Sequence, residues 1–246
     1  LSLHDALPIS LRSLLGQSDA AGIGARLERW TRDGPLGWAL DGDEDALSLE
    51  ARFAGFDMTD VLDHPEVRNP LMLYLFHRIT QRVDGRRVVL DIDEFWKVLG
   101  DPAFTELAQD GLKTWRKQNA LMVFGTQSPA DALRSPIAHT ILEQCATKIF
   151  LPNAHAQARD YVEGFGLSQE EFRLIRDELT PQSHRFLVKQ GHDSVVVELD
   201  LGGLDDALAV LSGRAETVAL LDRLRAETGD DYADWRGPFH NQRRLT

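Results

Sequence analysis

The stretch Val88-Val89-Leu90-Asp91-Ile92 is apolar at nearly every position, follows the turn-like Asp84-Gly85-Arg86-Arg87, and stops on two adjacent carboxylates, Asp93 and Glu94. A short run so rich in β-branched residues reads as a strand, and its lack of alternation reads as burial on both faces. Leu121-Met122-Val123-Phe124-Gly125-Thr126-Gln127 repeats the pattern and ends on an amide, and Thr147 to Leu151 has the character of a third buried strand. Helical segments separate the three. The fold class implied is α/β, a parallel sheet with helices on both faces.

The intervening segments carry ordinary start and stop signals. Asn69 and Pro70 resemble an N-cap and first helical position for a helix over Leu71 to Arg82, and Asp101-Pro102 opens another that ends in the cations Lys113, Arg116 and Lys117. Ser128-Pro129 and Ser135-Pro136 predict two short helices up to Cys145, and Ser168 with Glu171 has the spacing of a capping box. Phe53 to Met58 reads as a short strand, and residues 11–32 as loosely helical. Arg185 to Gln190 and Ser194 to Leu199 pair as a hairpin about Gly191-His192-Asp193. A last helix is expected from Ala215 to Glu227, with a loosely held tail from Arg236.

Composition limits what such a fold can do. With 246 residues and 43% hydrophobic content, a large core is possible. The balance of 27 basic against 39 acidic side chains gives a net charge of −12, which disfavours nucleic-acid contact except locally. The single Cys145 excludes an internal disulfide and a cysteine zinc site, and fits a reducing, cytoplasmic compartment. No apolar run approaches the ~20 residues of a membrane-spanning helix. The chain lacks an initiator Met, and its first ten residues have neither the basic region nor the apolar core of a signal peptide, so residues 1–10 are expected to be non-native or disordered.

An acidic pair at the C-terminal end of a parallel strand lies where open α/β sheets place ligands, so that one carboxylate can hold a metal and the other take a proton. The same pair can equally be a solvated turn after a core strand. Asp91, two residues back on the strand, reads as a structural partner of Asp93. Gln127 is placed to sense a terminal phosphate or orient water, and Arg116 to offer a transition-state cation to a neighbouring subunit. The bland alternatives are a strand that happens to end on Gln and a charged helix end. Metal-dependent hydrolysis of the H-E-x-x-H type and serine hydrolysis of the G-x-S-x-G type lack their motifs, and Cys145 reads as a core residue.

Taken together, Asp93-Glu94-Phe95-Trp96-Lys97, Leu112-Lys113-Thr114-Trp115-Arg116-Lys117-Gln118-Asn119, Phe124-Gly125-Thr126-Gln127-Ser128-Pro129, Ile149-Phe150-Leu151-Pro152-Asn153 and Leu211-Ser212-Gly213-Arg214 resemble the VirB/TrbE/CagE-type ATPase of type IV secretion and conjugal transfer systems. Gly34-Pro35-Leu36-Gly37-Trp38, Gly55-Phe56-Asp57-Met58 and Leu73-Tyr74-Leu75-Phe76-His77-Arg78 fit the same family in the same order. The resemblance implies a RecA-like motor that hydrolyses ATP with Mg²⁺. It further implies self-association as a homo-oligomer, work with other secretion components at the cytoplasmic face of the bacterial inner membrane, and a role in pilus assembly and substrate transfer. Asp93 would be the Walker B ligand of Mg²⁺, Glu94 the catalytic base, Gln127 the γ-phosphate sensor and Arg116 an inter-subunit arginine. Lys189-Gln190-Gly191 matches a family segment near the nucleotide without a firm role.

The sequence departs from that family in one respect: none of its residues form a G-x-x-x-x-G-K-[ST] loop. The expectation is that residues 11–230 are the C-terminal part of a motor domain lacking the P-loop strand, followed by a tail over 231–246, and that the chain is inactive alone. A DNA-translocase or coupling-protein ATPase and a non-catalytic docking or oligomerisation module are the alternatives.

Overall fold

A computed structural model describes residues 22–31, 33–41, 47–58, 61, 64–95 and 102–243, with the side chains of 102–104, 106 and 107 set aside. Short helices α1 (Ile23–Glu28) and α2 (Gly37–Leu40) precede the long α3 (Pro65–Thr80). Strand β1 (Val88–Ile92), helix α4 (Pro102–Thr114) and strand β2 (Ala120–Phe124) follow. Next come α5 (Pro129–Arg134), α6 (Ala138–Gln144), β3 (Thr147–Phe150) and α7 (Gln169–Arg173). The hairpin strands β4 (Arg185–Gln190) and β5 (Asp193–Glu198) lead to α8 (Asp205–Leu211), α9 (Ala215–Thr228) and α10 (Tyr232–Arg243). No helix among the described residues is long and apolar enough to cross a membrane.

The chain divides into two compact units. In the first, which runs to Lys148 and includes His155–Arg173 and Lys189–Asp193, β1 and β2 pair in parallel with Val88 opposite Ala120 and Ile92 opposite Phe124. One face of this pair is the core: Leu90, Ile92, Met122 and Phe124 pack against Met72, Leu75 and Phe76 of α3, Ala108 of α4, Ala132 of α5 and Ile141 of α6. The other face carries Val89, Leu121 and Val123, with Val89 68% and Leu121 58% exposed.

That exposure corrects the expectation of a sheet covered on both sides. Continuous apolarity along β1 and β2 marks strands able to be buried on both faces, but among the described residues only one face receives helices. A second correction concerns Thr147–Phe150, which does not extend the parallel pair. It belongs to a separate sheet in the order β3-β4-β5. Its Ile149 is exposed and its Phe150 buried, a half-buried pattern rather than a buried one.

Helix α3 begins at Pro65, not Leu71, and Pro70 lies inside it. Val67, 1% exposed, accounts for the earlier start, because the added turn buries an apolar side chain that outweighs the backbone hydrogen bond forfeited at Pro70. Residues 53–58 form no strand, and Phe53 points to solvent. Helix α6 starts at Ala138, two residues past Pro136, while the Ser135 hydroxyl accepts a hydrogen bond from the Ile137 N–H at 3.1 Å. Asp101 and most of 11–32 lie outside the described residues.

The second unit contains Ile149–Ala154, Leu174–Val188 and the chain from Ser194 onward. Its helices α8, α9 and α10 enclose Leu224, Trp235 and Phe239, with Val210, Leu220 and Leu221 packed around them. Gly229 ends α9 at φ +108°, and its N–H bonds the Arg225 carbonyl at 2.9 Å. The tail expected to be loose is therefore mostly an ordered helix. Trp235 and Phe239, four residues apart, form the apolar stripe whose burial against α9 secures it.

Candidate functional site

Three of the four residues singled out from sequence meet where β1 and β2 end. The parallel ladder continues one step beyond the strands through the Gly125 N–H, which donates to the Ile92 carbonyl at 2.9 Å. Asp93 and Glu94 therefore sit beside Gly125, Thr126 and Gln127. The Gln127 amide Nε2 donates to Glu94 Oε1 at 3.0 Å. Asp93 Oδ1 accepts from the Glu94 N–H at 2.9 Å.

The chain turns sharply to make this possible. Glu94 adopts φ +49°, in the left-handed region that side-chain-bearing residues avoid at a cost of about 1 kcal/mol or more. Phe95 holds the turn in that shape: it is 2% exposed, and its ring packs against Phe124 at 4.9 Å between centroids. On the other strand, Thr126 Oγ1 donates to the Ser128 carbonyl at 3.0 Å and accepts from the Ser128 N–H at 3.2 Å. This local hydroxyl turn presents Gln127 outward before Pro129 opens α5.

The acids differ in surroundings. Asp93 is exposed, and its Oδ2 has no hydrogen-bond partner among the described residues, whereas Glu94 is half-buried and braced by Gln127. Asp91 stays on the exposed face of β1 and makes no hydrogen bond or ion pair among the described residues, so the structural partnership expected for it with Asp93 is not formed. The strand ends at Ile92, but burial still alternates through Asp91, Ile92 and Asp93, so the two acids share exposure without a bond between them.

Arg116 is not part of this cluster. It is exposed in a single tight turn, Trp115–Gln118, at the opposite end from Gln127 of β2, a strand about 17 Å long. Buried Trp115 fixes that turn, and Asn119, at φ +60°, bonds the Gly85 carbonyl at 2.8 Å and ties the start of β2 to the turn before β1. Lys189 lies elsewhere in the same unit, where its Nζ contacts Glu171 Oε1 at 2.8 Å and Oε2 at 3.0 Å. Glu171 also accepts from the Ser168 N–H at 2.7 Å, completing the capping box. A groove of about 410 Å³ beside α5, lined by Leu133, Arg134, Arg159 and Glu163 among others, includes none of the site residues.

Sequence reasoning passed over Gly125. A Cβ at this position would lie 2.8 Å from Asp93 Oδ1, so only glycine allows the two strand ends to approach as they do. The signal was present as a lone Gly between an apolar strand and a polar turn.

Residues 17–179 match the model of the TraG P-loop domain family. The type IV secretion system protein virB4 of Bartonella henselae is 51% identical over 95% of this chain and 30% of its own length. Protein virB4 of Agrobacterium tumefaciens is 41% identical over 93% of the chain and 29% of its length. Virb4 of Brucella suis is 42% identical over 90% of the chain and 27% of its length. The chain thus spans less than a third of the curated relatives it matches. Among solved structures, VirB4 of Thermoanaerobacter pseudethanolicus shares the fold at a TM-score of 0.59 and 18% identity, over 74% of this chain and 50% of that one.

Proposed function

The chain belongs to the TraG P-loop domain family and is similar to virB4 proteins of type IV secretion systems, and from that premise we infer that Asp93, Glu94 and Gln127 form the water-activating side of an ATP-hydrolysis site. The observation carrying this reading is the hydrogen bond from Gln127 to Glu94 at the paired ends of two parallel strands, beside an outward-facing Asp93. Glu94 would accept the proton of the attacking water, held in orientation by the Gln127 amide. Gln127 would in turn report the terminal phosphate to Glu94. Among the described residues there is no cluster of three or more metal-ligating side chains. The Asp93 carboxylate oxygen that has no partner among the described residues suits Mg²⁺, a hard cation usually held by one or two carboxylates with water and substrate phosphates completing its shell. When bound, Mg²⁺ neutralises charge developing on the phosphate oxygens.

The phosphate cradle has no counterpart in these residues, so the chain alone is inferred to bind Mg-ATP only weakly and not to turn it over. Micromolar affinity by calorimetry would contradict this. In the complete protein, the site would drive pilus assembly and substrate transfer, in a homo-oligomer working with other secretion components at the cytoplasmic face of the inner membrane. Arg116, remote from its own Glu94, suits contact with the nucleotide of a neighbouring subunit. Glu94→Gln in the complete protein tests the assignment. The glutamine keeps an oxygen to accept from Gln127, so ATP binding is expected to persist while hydrolysis falls at least a hundredfold. Hydrolysis within a few fold of the native rate would remove Glu94 from the mechanism.

A further inference from the structure

Strand β5 is an edge strand: within the described sheet it neighbours β4 alone. Its register follows from one bond, the Leu199 N–H donating to the His184 carbonyl at 2.9 Å. In an antiparallel ladder the inward-bonding residues alternate, so Val195 and Val197 turn their backbone groups toward β4 with Leu199, while those of Val196 and Glu198 face outward. The ion pair of Arg185 Nε with Glu198 Oε2 at 2.8 Å, directly across the ladder, fits the same register.

The outer edge thus offers a row of donors and acceptors with no proline, no lysine and exposed aliphatic side chains at Val195 and Val196. Edge strands of this kind recruit a further strand unless blocked. Charge decides which strand. From Asp193 to Asp206 there are five acidic residues, Asp193, Glu198, Asp200, Asp205 and Asp206, and no lysine or arginine; Arg185 pairs with Glu198 and Arg243 with Asp206, so the excess negative charge is carried by Asp193, Asp200 and Asp205. A second copy pairing edge to edge would bring two such acidic segments together, which like-charge repulsion opposes. A basic strand meets no such barrier.

We propose that the outer edge of β5 docks an extended, basic segment of a partner protein by strand addition. The partner's aliphatic side chains lie beside Val195, Val197 and Leu199, and its lysines or arginines on the alternate face beside Glu198. This docking is independent of the hydrolysis site.

The test is fluorescence anisotropy of the chain with a labelled eight-residue peptide alternating lysine and valine. Three controls accompany it: the same peptide with alternate backbone nitrogens methylated, a glutamate-valine peptide, and the Val196→Pro variant of the chain. Proline at 196 removes an outward N–H and no bond of the β4–β5 ladder. Saturable binding of the lysine peptide, weakened at least tenfold by methylation and by Val196→Pro and falling with added salt, is the expected result. The methylated peptide leaves the protein untouched, so its weakening supports the proposal even if the proline variant folds poorly. Absence of saturable binding overturns the proposal, as does equal binding of the methylated or the glutamate peptide. Sedimentation showing a dimer of the chain that Val196→Pro dissolves would also overturn it in favour of a second copy.

Discussion

Replacing Gly125 with alanine separates stability from chemistry at the strand ends. The new Cβ would stand 2.8 Å from Asp93 Oδ1, 3.5 Å from its Cα and 3.6 Å from its Cγ. Only the oxygen contact is too close, and relieving it requires a displacement of roughly 0.6 Å. Oδ1 can move away only by giving up the 2.9 Å bond from the Glu94 N–H. In this exposed turn water replaces that bond, so its loss costs about 1 kcal/mol. Alanine recovers about 0.4–1 kcal/mol by reducing the freedom of the unfolded chain. The net change in stability should therefore fall within about 1 kcal/mol, measured by urea unfolding of the chain followed by circular dichroism. The Asp93 carboxylate is nevertheless displaced by a large part of an ångström, a scale at which misplaced catalytic groups lose roughly tenfold to a hundredfold in rate. ATP hydrolysis by the complete protein carrying Gly125→Ala is expected to drop by that factor, with folding intact. Full turnover at unchanged stability would show that the close approach of Gly125 and Asp93 does not matter to the reaction. A loss of several kcal/mol would show that the clash is relieved through the backbone instead.

Other perturbations test separate parts of the molecule. Phe239→Ala removes a fully buried ring from the small core of α8, α9 and α10 and should cost about 3–5 kcal/mol, read as faster amide exchange throughout α9; unchanged exchange would mean that the ring does not hold these helices together. Lys189→Ala removes the ammonium that contacts both oxygens of the buried Glu171 carboxylate and should cost about 3 kcal/mol or more, of which Glu171→Gln added to it restores at least about 1 kcal/mol. A single-variant cost no larger than that of an exposed pair would contradict the buried-pair reading. The Asp84 carboxyl, bonded by the Arg86 side chain and then by its backbone N–H, is held down to about 2 from an ordinary 3.8. Because its folded value is depressed, its contribution to the turn before β1 is complete above pH 3.8 and is lost as pH falls through about 2. Titration of Asp84 followed by NMR should place its midpoint near that lower value, and Arg86→Ala should return it toward 3.8.

The pairing of β1 with β2 was legible because aliphatic strands separated by a helix leave few arrangements other than a parallel one. Asp93, Glu94 and Gln127 were legible as ends of those strands, since parallel strands in register bring their C-terminal ends to one place. Less was legible where local pattern is ambiguous. Asn69-Pro70 has the signature of a helix start, yet a buried Val67 one turn earlier extends α3 through it. Trp235 and Phe239 have helical spacing, but the surrounding Arg236, Gly237 and Pro238 mask it in a short tail.

The sequence by itself determined the paired strands β1 and β2, the acids that close the first of them and the family to which the chain belongs, because those depend on composition and order along the chain. Tertiary structure alone decided which carboxylate is braced and which is open, that a Cβ at position 125 would crowd Asp93, that Arg116 stands at the far end of the strand from Gln127, and that β3 joins the hairpin rather than the parallel pair. Each of these depends on distances between residues remote in sequence, and such distances exist only once the chain has packed.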